Sequence, residues 1–200
     1  IDMVKPITKY AVTVMDPDEI LYHLEKAWFL AKTGRPGPVW LDIPLDIQGA
    51  KVDPLKLKHF KLSEVVPDYE TDKKKLGKLV AQTIEKLCSA SRPVLYAGHG
   101  IRLSGAYKEF LELVELLKIP VLTSYVGYDM LPSNHRYFFG RAHSFGQRAA
   151  NFIIQNSDVL LVIGARLDVL TTGFTYKAFA REAYTVMVDI DKKELHKKTL

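Results

Sequence analysis

Scarcity is the first thing this 200-residue chain shows: it holds one cysteine, Cys88, and two tryptophans. A single thiol excludes an internal disulfide, so the fold must be held by its core, and the usage fits a reducing compartment. No apolar run approaches the roughly 20 residues needed to cross a bilayer as a helix. The opening residues Ile1-Asp2-Met3-Val4-Lys5-Pro6 carry neither the basic nor the apolar region of a secretion signal, and a cytoplasmic protein with no membrane partner is expected. Also absent are a Gly-x-Ser-x-Gly nucleophile elbow and any cysteine–histidine cluster; His135 and His143 stand in a segment without the ligands that zinc requires. Cys88 reads as inert packing on the inward side of a helix.

What is present is an ordinary globular composition, 48% hydrophobic, which excludes wholesale disorder. The formal charge is +5, and much of it is local. Lys51, Lys56, Lys58, Lys61, Lys73, Lys74, Lys75 and Lys78 alternate with Asp53, Glu64, Asp68, Glu70 and Asp72. Interleaved signs without a nucleic-acid-binding signature describe a solvated connection, so no nucleic-acid partner is expected.

Periodicity then divides the chain. Asp16-Pro17-Asp18-Glu19 is a helix start, with a cap, a proline at the first helical position and a glutamate three residues after the cap. Leu21, Leu24, Trp28 and Ala31 follow as an apolar stripe, widened by Ile20 and Ala27, up to Gly34. Val39-Trp40-Leu41 reads as a short buried strand closed by Pro44, and residues 17–43 become a helix–turn–strand unit whose strand lacks partners within the first fifty residues. Residues 1–50 are therefore expected to be the remnant of a domain, and 51–71, with Pro54, Pro67 and little periodicity, a linker. Residues 72–200 alternate: helix from Asp72 to before Arg92-Pro93, strand 94–97, helix 104–118, strand 120–123, an irregular stretch over 125–147, helix 147–155, and strands 159–163 and 185–188. Short apolar strands between helices predict an α/β, Rossmann-like parallel sheet covered by helices on both faces.

Such sheets bind ligands at the carboxyl ends of their strands. Three ends converge here: Gly98-His99-Gly100, Thr123-Ser124 and Gly164-Ala165-Arg166. The glycine-rich loop lacks the third glycine of a dinucleotide fingerprint, Leu103 standing in its place, and no acid closes the next strand, which argues against a conventional NAD site. The loop is read equally as a phosphate cradle at a helix N-terminus or as a plain turn. Arg166 offers a fork for phosphate or carboxylate, and Asp189 and Asp191 acceptors for ribose hydroxyls. The structural alternative pairs Arg166 with Asp168 and makes Asp191 a helix cap.

One string is more specific than these patterns: Gly34-Arg35-Pro36-Gly37-Pro38-Val39-Trp40-Leu41-Asp42-Ile43-Pro44-Leu45-Asp46-Ile47-Gln48. It resembles the end of the pyrimidine-binding domain of thiamine diphosphate enzymes of the acetolactate synthase-like group, and the resemblance resumes at Arg92 to Gly100, Asn151 to Arg166 and Val188 to Leu195. It implies a parent enzyme that cleaves a bond next to a 2-oxo acid carbonyl through a thiamine carbanion, with Mg2+. In the synthases, positions resembling Arg35, Gly98, Gly100, Thr123, Gly164, Ala165, Arg166, Asp168, Asp189 and Ile190 line an FAD site; His99 and Ser124 join them on the residue reading alone. The chain departs from the synthase pattern at Gly164-Ala165-Arg166-Leu167-Asp168-Val169-Leu170-Thr171-Thr172-Gly173, where a second Asp and a second Arg are missing, and at Phe145, where a histidine is usual. FAD, ADP or no nucleotide remain open alternatives at this point. The activating glutamate and the Gly-Asp-Gly motif that hold thiamine diphosphate and magnesium are not in the sequence, and no catalytic residue is expected in it. The expectation is thus a central-domain fragment, inactive alone, whose partners are the other domains of the parent and further copies of it. The alternative is a free-standing nucleotide-binding sensor or adaptor of the same fold.

Overall fold

A computed structural model describes residues 1–65 and 72–198, which fall into two compact units.

In the first unit, β1 (Tyr10–Thr13) precedes a single 3-10 turn and α1 (Ile20–Lys32), followed by β2 (Val39–Asp42) and α2 (Leu45–Gly49). The cap forms as the sequence predicts: Asp16 accepts from the Asp18 backbone N–H at 2.9 Å, and Pro17 opens the turn. Gly34 opens the connection just after α1 with φ +65°, a conformation that costs glycine little. Lys9 closes the turn from the other side, its Nζ donating to the carbonyls of Thr33 and Arg35.

Three expectations are corrected here. β2 does have a partner, because β1 pairs with it in parallel, Tyr10 opposite Val39 and Thr13 opposite Asp42. Nor is the strand buried: Trp40 is half exposed. The α1 stripe also turns out differently, with Ala27 facing inward while Leu24 and Trp28 stand 48% and 69% exposed. A two-stranded sheet is too narrow to cover the apolar arc that the helix carries.

The segment after α2 is held along α1. Lys58 Nζ meets Glu19 at 2.9 Å, and Glu25 receives both His59 Nδ1 and the Phe60 N–H at 2.9 Å. The Phe60 ring lies edge-on to Tyr22 and against Phe29, and Tyr22 donates its hydroxyl to Glu64 at 2.8 Å. Residues 66–71 of the expected linker lie outside the described residues.

The second unit begins with α3 (Lys73–Ser89), capped by Asp72, which accepts from the N–H groups of Lys74 and Lys75. It continues through β3 (Pro93–Ala97), α4 (Gly100–Leu103), α5 (Tyr107–Leu117), β4 (Val121–Thr123), β5 (Phe138–Arg141), α6 (Arg148–Gln155), β6 (Val159–Ile163), α7 (Val169–Thr172), β7 (Tyr184–Val188) and α8 (Lys192–Leu195). All five strands are parallel, in the order β5-β4-β3-β6-β7. Alternate residues of the central strands serve opposite faces. Val94, Tyr96, Leu160 and Val162 pack with Leu122, Ala150 and Ile154, whereas Leu95, Ala97 and Leu161 pack with Phe110, Val114 and Val121. The α/β, Rossmann-like parallel sheet with helices on both faces is therefore the fold.

Three details differ from the sequence reading. The segment 125–147 is not wholly irregular, since it supplies β5, which follows a register shift against β4 and contains Gly140 at φ +103°. The helix expected over 104–118 is the shorter α5 (Tyr107–Leu117), and a separate short helix, α4, precedes it, parted from it at Gly105 with φ +77°. Cys88 is exposed rather than packed. On α3 the apolar residues Leu76, Leu79, Val80 and Ile84 are 47–55% exposed, and Leu87 is the member that joins the core.

Candidate functional site at the carboxyl edge of the sheet

Sheet order places the switch point between β3 and β6: from β3 the chain moves out through β4 to β5, then returns across it to β6 and β7. The loops leaving these two strands meet directly. The Gly98 N–H donates to the Ile163 carbonyl and the Gly100 N–H to the Gly164 carbonyl, each at 2.9 Å. A Cβ built on Gly98 would lie 2.2 Å from the Gly164 oxygen, and one on Gly100 2.8 Å from the Gly164 Cα. These glycines are needed for one loop to press on the other. Their amides are occupied by the Ile163 and Gly164 carbonyls.

Polar side chains gather beside this contact. Thr123 is fully buried at the end of β4, and its Oγ1, the Ser124 Oγ and the His99 Nδ1 are buried without a hydrogen-bond partner. Buried polar atoms of this kind carry a desolvation cost that a polar ligand group can relieve. Ser124 is fixed through its backbone N–H, which donates to Ala97.

Further along the same edge, Tyr125, Val126, Tyr128 and Arg141 surround an open depression of about 350 Å3. His143, 5% exposed, packs against one of these residues, the Tyr125 ring edge-on at 5.2 Å, and its Nδ1 accepts from the Phe145 N–H. Burial, reinforced by the Arg141 charge, pushes the His143 pKa below its ordinary value, while Asp168 opposes. Tyr96 reaches up from β3 and donates to the Ala142 carbonyl at 3.1 Å, with Thr171 Oγ1 at 3.3 Å. Its burial pushes the phenol up to about 12.

Beyond β6, Ala165 is buried and Arg166 is exposed at the loop. Arg166 does not pair with Asp168: its Nε donates to Glu194 at 2.7 Å. Asp168 instead caps α7, accepting from the N–H groups of Leu170 and Thr171. Asp191 caps α8 through the Lys193 N–H, and Asp189 accepts from the Asp191 N–H at 2.9 Å. Ile190 is half exposed. Arg35 belongs to the other unit, exposed on the turn before β2 with its carbonyl bound by Lys9.

Thus the structure gathers Gly98, His99, Gly100, Thr123, Ser124, Gly164, Ala165 and Arg166 along one edge and turns Asp168 and Asp191 to capping. Glu194, Lys197 and Tyr96 were not singled out in the sequence. The i,i+3 spacing of Glu194 and Lys197 just after a cap is a faint signal for the first two; nothing local points to Tyr96. For a nucleotide the fit is partial: the unpartnered Thr123, Ser124 and His99 atoms and the Arg166 fork suit a polar, anionic ligand, whereas the glycine amides do not. For thiamine diphosphate and magnesium the residues do not fit, because among the described residues no group of three or more His, Cys, Asp or Glu is placed to hold a metal, and the sequence has no Gly-Asp-Gly.

Comparison with known proteins adds the family. Residues 80–199 match the family model described as thiamine pyrophosphate enzyme, central domain. The chain is 36% identical over 198 residues to a probable acetolactate synthase large subunit of Methanocaldococcus jannaschii, covering 96% of this chain and 32% of that protein. It is 34% identical to the acetolactate synthase large subunit of Corynebacterium glutamicum, over 96% of this chain and 30% of that protein. With a probable chloroplastic acetolactate synthase 2 of Oryza sativa the identity is 37%, over 98% of this chain and 29% of the relative. The chain spans about a third of the length of the curated relatives it matches.

Proposed function

The chain belongs to the thiamine pyrophosphate enzyme family, whose central domain it carries, and from that membership we propose that it works inside a cytoplasmic, acetolactate synthase-like enzyme acting on 2-oxo acids. The observation that supports this reading is similarity to acetolactate synthases along 96% of the chain or more. In such a parent, thiamine diphosphate supplies the carbanion chemistry, with Mg2+ held by other domains. The residues of this chain take no part in the bond-making step. They contribute spacing, contacts to the other domains and to further copies of the enzyme, and a nucleotide site along the carboxyl edge of the sheet.

At that edge, Thr123, Ser124 and His99 offer hydrogen-bonding atoms that lack partners, and Arg166 offers charge. An adenine nucleotide, as ADP or as the ADP moiety of FAD, matches this combination of a polar shelf and a guanidinium. Calorimetric titration of the parent polypeptide with ADP and with FAD tests the reading. Saturable binding in the micromolar range is the expected result. Heats indistinguishable from dilution for both would leave the edge a purely structural feature. Decarboxylation of 2-oxo acids by the parent, dependent on added thiamine diphosphate and Mg2+, is the expected activity; turnover without thiamine would overturn the family mechanism for it.

A further inference from the structure

Arg166 is held in an unusual way for a residue so open to solvent. Its side chain is 62% exposed, yet its Nε is bound to a carboxylate that is only 7% exposed, that of Glu194. The other oxygen of that carboxylate faces Lys197 Nζ at 3.2 Å. Lys197 also donates to the backbone carbonyls of Arg166 and Leu167. A buried acid from α8, a lysine one turn later and the loop after β6 therefore form one closed network. Leu167 sits within it at φ +49°, a backbone setting that a leucine holds when its surroundings enforce it.

With Nε bound to Glu194 and 62% of the side chain exposed, the terminal nitrogens make up the edge of the fork that matches two oxygens of a phosphate or carboxylate. A free arginine would spread over many rotamers; one anchored at Nε has most of that entropy removed before a ligand arrives. We propose that Glu194 is a positioning residue, which through Nε of Arg166 fixes the guanidinium as an anion fork for the phosphate of a nucleotide at the carboxyl edge. The inference rests on the nucleotide reading above and adds to it a residue and a direction of approach. Lys197 completes the arrangement by pairing with the buried carboxylate and holding the loop carbonyls.

A double-mutant cycle on the parent polypeptide, with ADP as the probe, tests this. Glu194→Gln keeps the size of the side chain and removes its charge, and is expected to weaken ADP roughly tenfold, the scale of one charge-assisted hydrogen bond. In an Arg166→Ala background the same change is expected to do nothing further, since Glu194 acts through Arg166. Glu194→Asp, which keeps the charge and withdraws it by one methylene, is expected to fall between wild type and Gln, and it serves where the Gln variant melts below the assay temperature. ADP affinity unchanged in Glu194→Gln, or an equal loss with and without Arg166, would overturn the positioning role while leaving the nucleotide site standing. A wild-type protein that binds no ADP would overturn the site itself and this inference with it.

Discussion

Gly98 and Gly164 meet backbone to backbone at the switch point of the sheet, with a Cβ on Gly98 falling 2.2 Å from the Gly164 oxygen and 2.5 Å from the Ala165 Cα. Those neighbours are main-chain atoms in a hydrogen-bonded ladder, so they have little room to yield. Gly98→Ala is expected to cost about 3 kcal/mol, the upper end for overpacking a tight interior. The urea midpoint of the purified variant reads this directly. A loss below about 1 kcal/mol would show that the two loops separate easily.

Tyr96 ties the sheet to two loops with one hydroxyl, through the Ala142 carbonyl and Thr171. Tyr96→Phe is expected to destabilise by about 1–2 kcal/mol, since a buried carbonyl loses its donor. Its phenol, pushed up to about 12 by burial, stays protonated while exposed tyrosines ionise. The unfolded chain loses that proton near the ordinary tyrosine value, so stability falls as pH rises above about 10. Ultraviolet titration should show one of the ten tyrosines silent until the alkaline unfolding step; ionisation of all ten at ordinary values would contradict the burial.

His143 has its pKa lowered by burial and by Arg141. The neutral ring is therefore the form the fold prefers. Its contribution is complete above the ordinary histidine value of about 6.5 and is lost as pH falls from there through the folded-state value, because the unfolded chain takes up the proton first. Two-dimensional NMR of the histidine ring resonances should place the His143 midpoint below the ordinary histidine value. A midpoint above that value would reverse the sign of this dependence.

Asp158 joins the starts of two neighbouring strands, accepting from the N–H groups of Ser91 at 2.7 Å and Arg92 at 2.9 Å. Burial opposes its ionisation, but those two donors hold the carboxyl below the ordinary aspartate range. Its stabilisation is present above the unfolded-state value and disappears as pH falls through the folded one. Asp158→Ala is expected to cost about 1 kcal/mol at pH 7, a figure reduced for solvent screening, and close to nothing at pH 2. Urea titrations of both proteins at the two pH values would reveal it; an equal cost at both would mean that charge plays no part.

Much of the second unit can be read in the chain because its signals are local. Asp72 before a run of helical spacing, Pro93 at the mouth of a four-residue apolar run, and glycines after β3 and β6 each set a boundary without help from distant residues. β1 and β5 could not be read this way. Tyr10–Thr13 is four residues long and gains its strand character by pairing with β2, while Phe138–Arg141 is interrupted by a glycine at φ +103°. Both are edge strands whose existence is decided by a neighbour. The candidate site divides in the same manner. The strand ends were visible because parallel topology brings them to one edge. The partner of Arg166 was not, since Glu194 lies 28 positions away and meets it only once β7 and α8 are in place; Asp168, close at hand in sequence, takes up the α7 amides instead.

The order β5-β4-β3-β6-β7 also has a temporal side. β3, the middle strand, is made early, and one of its flanks is completed by β4 soon afterwards. The other flank waits for β6, which arrives after β5 and α6 have been synthesised. A nascent or refolding chain thus carries an open apolar ladder, Val94 to Ala97, on its most central strand until the chain has doubled back. Non-local parallel pairing of this sort is slow to close, so the unit is expected to condense around β3 and β6 together, late and in one step, with the glycine contact above them forming as that step completes.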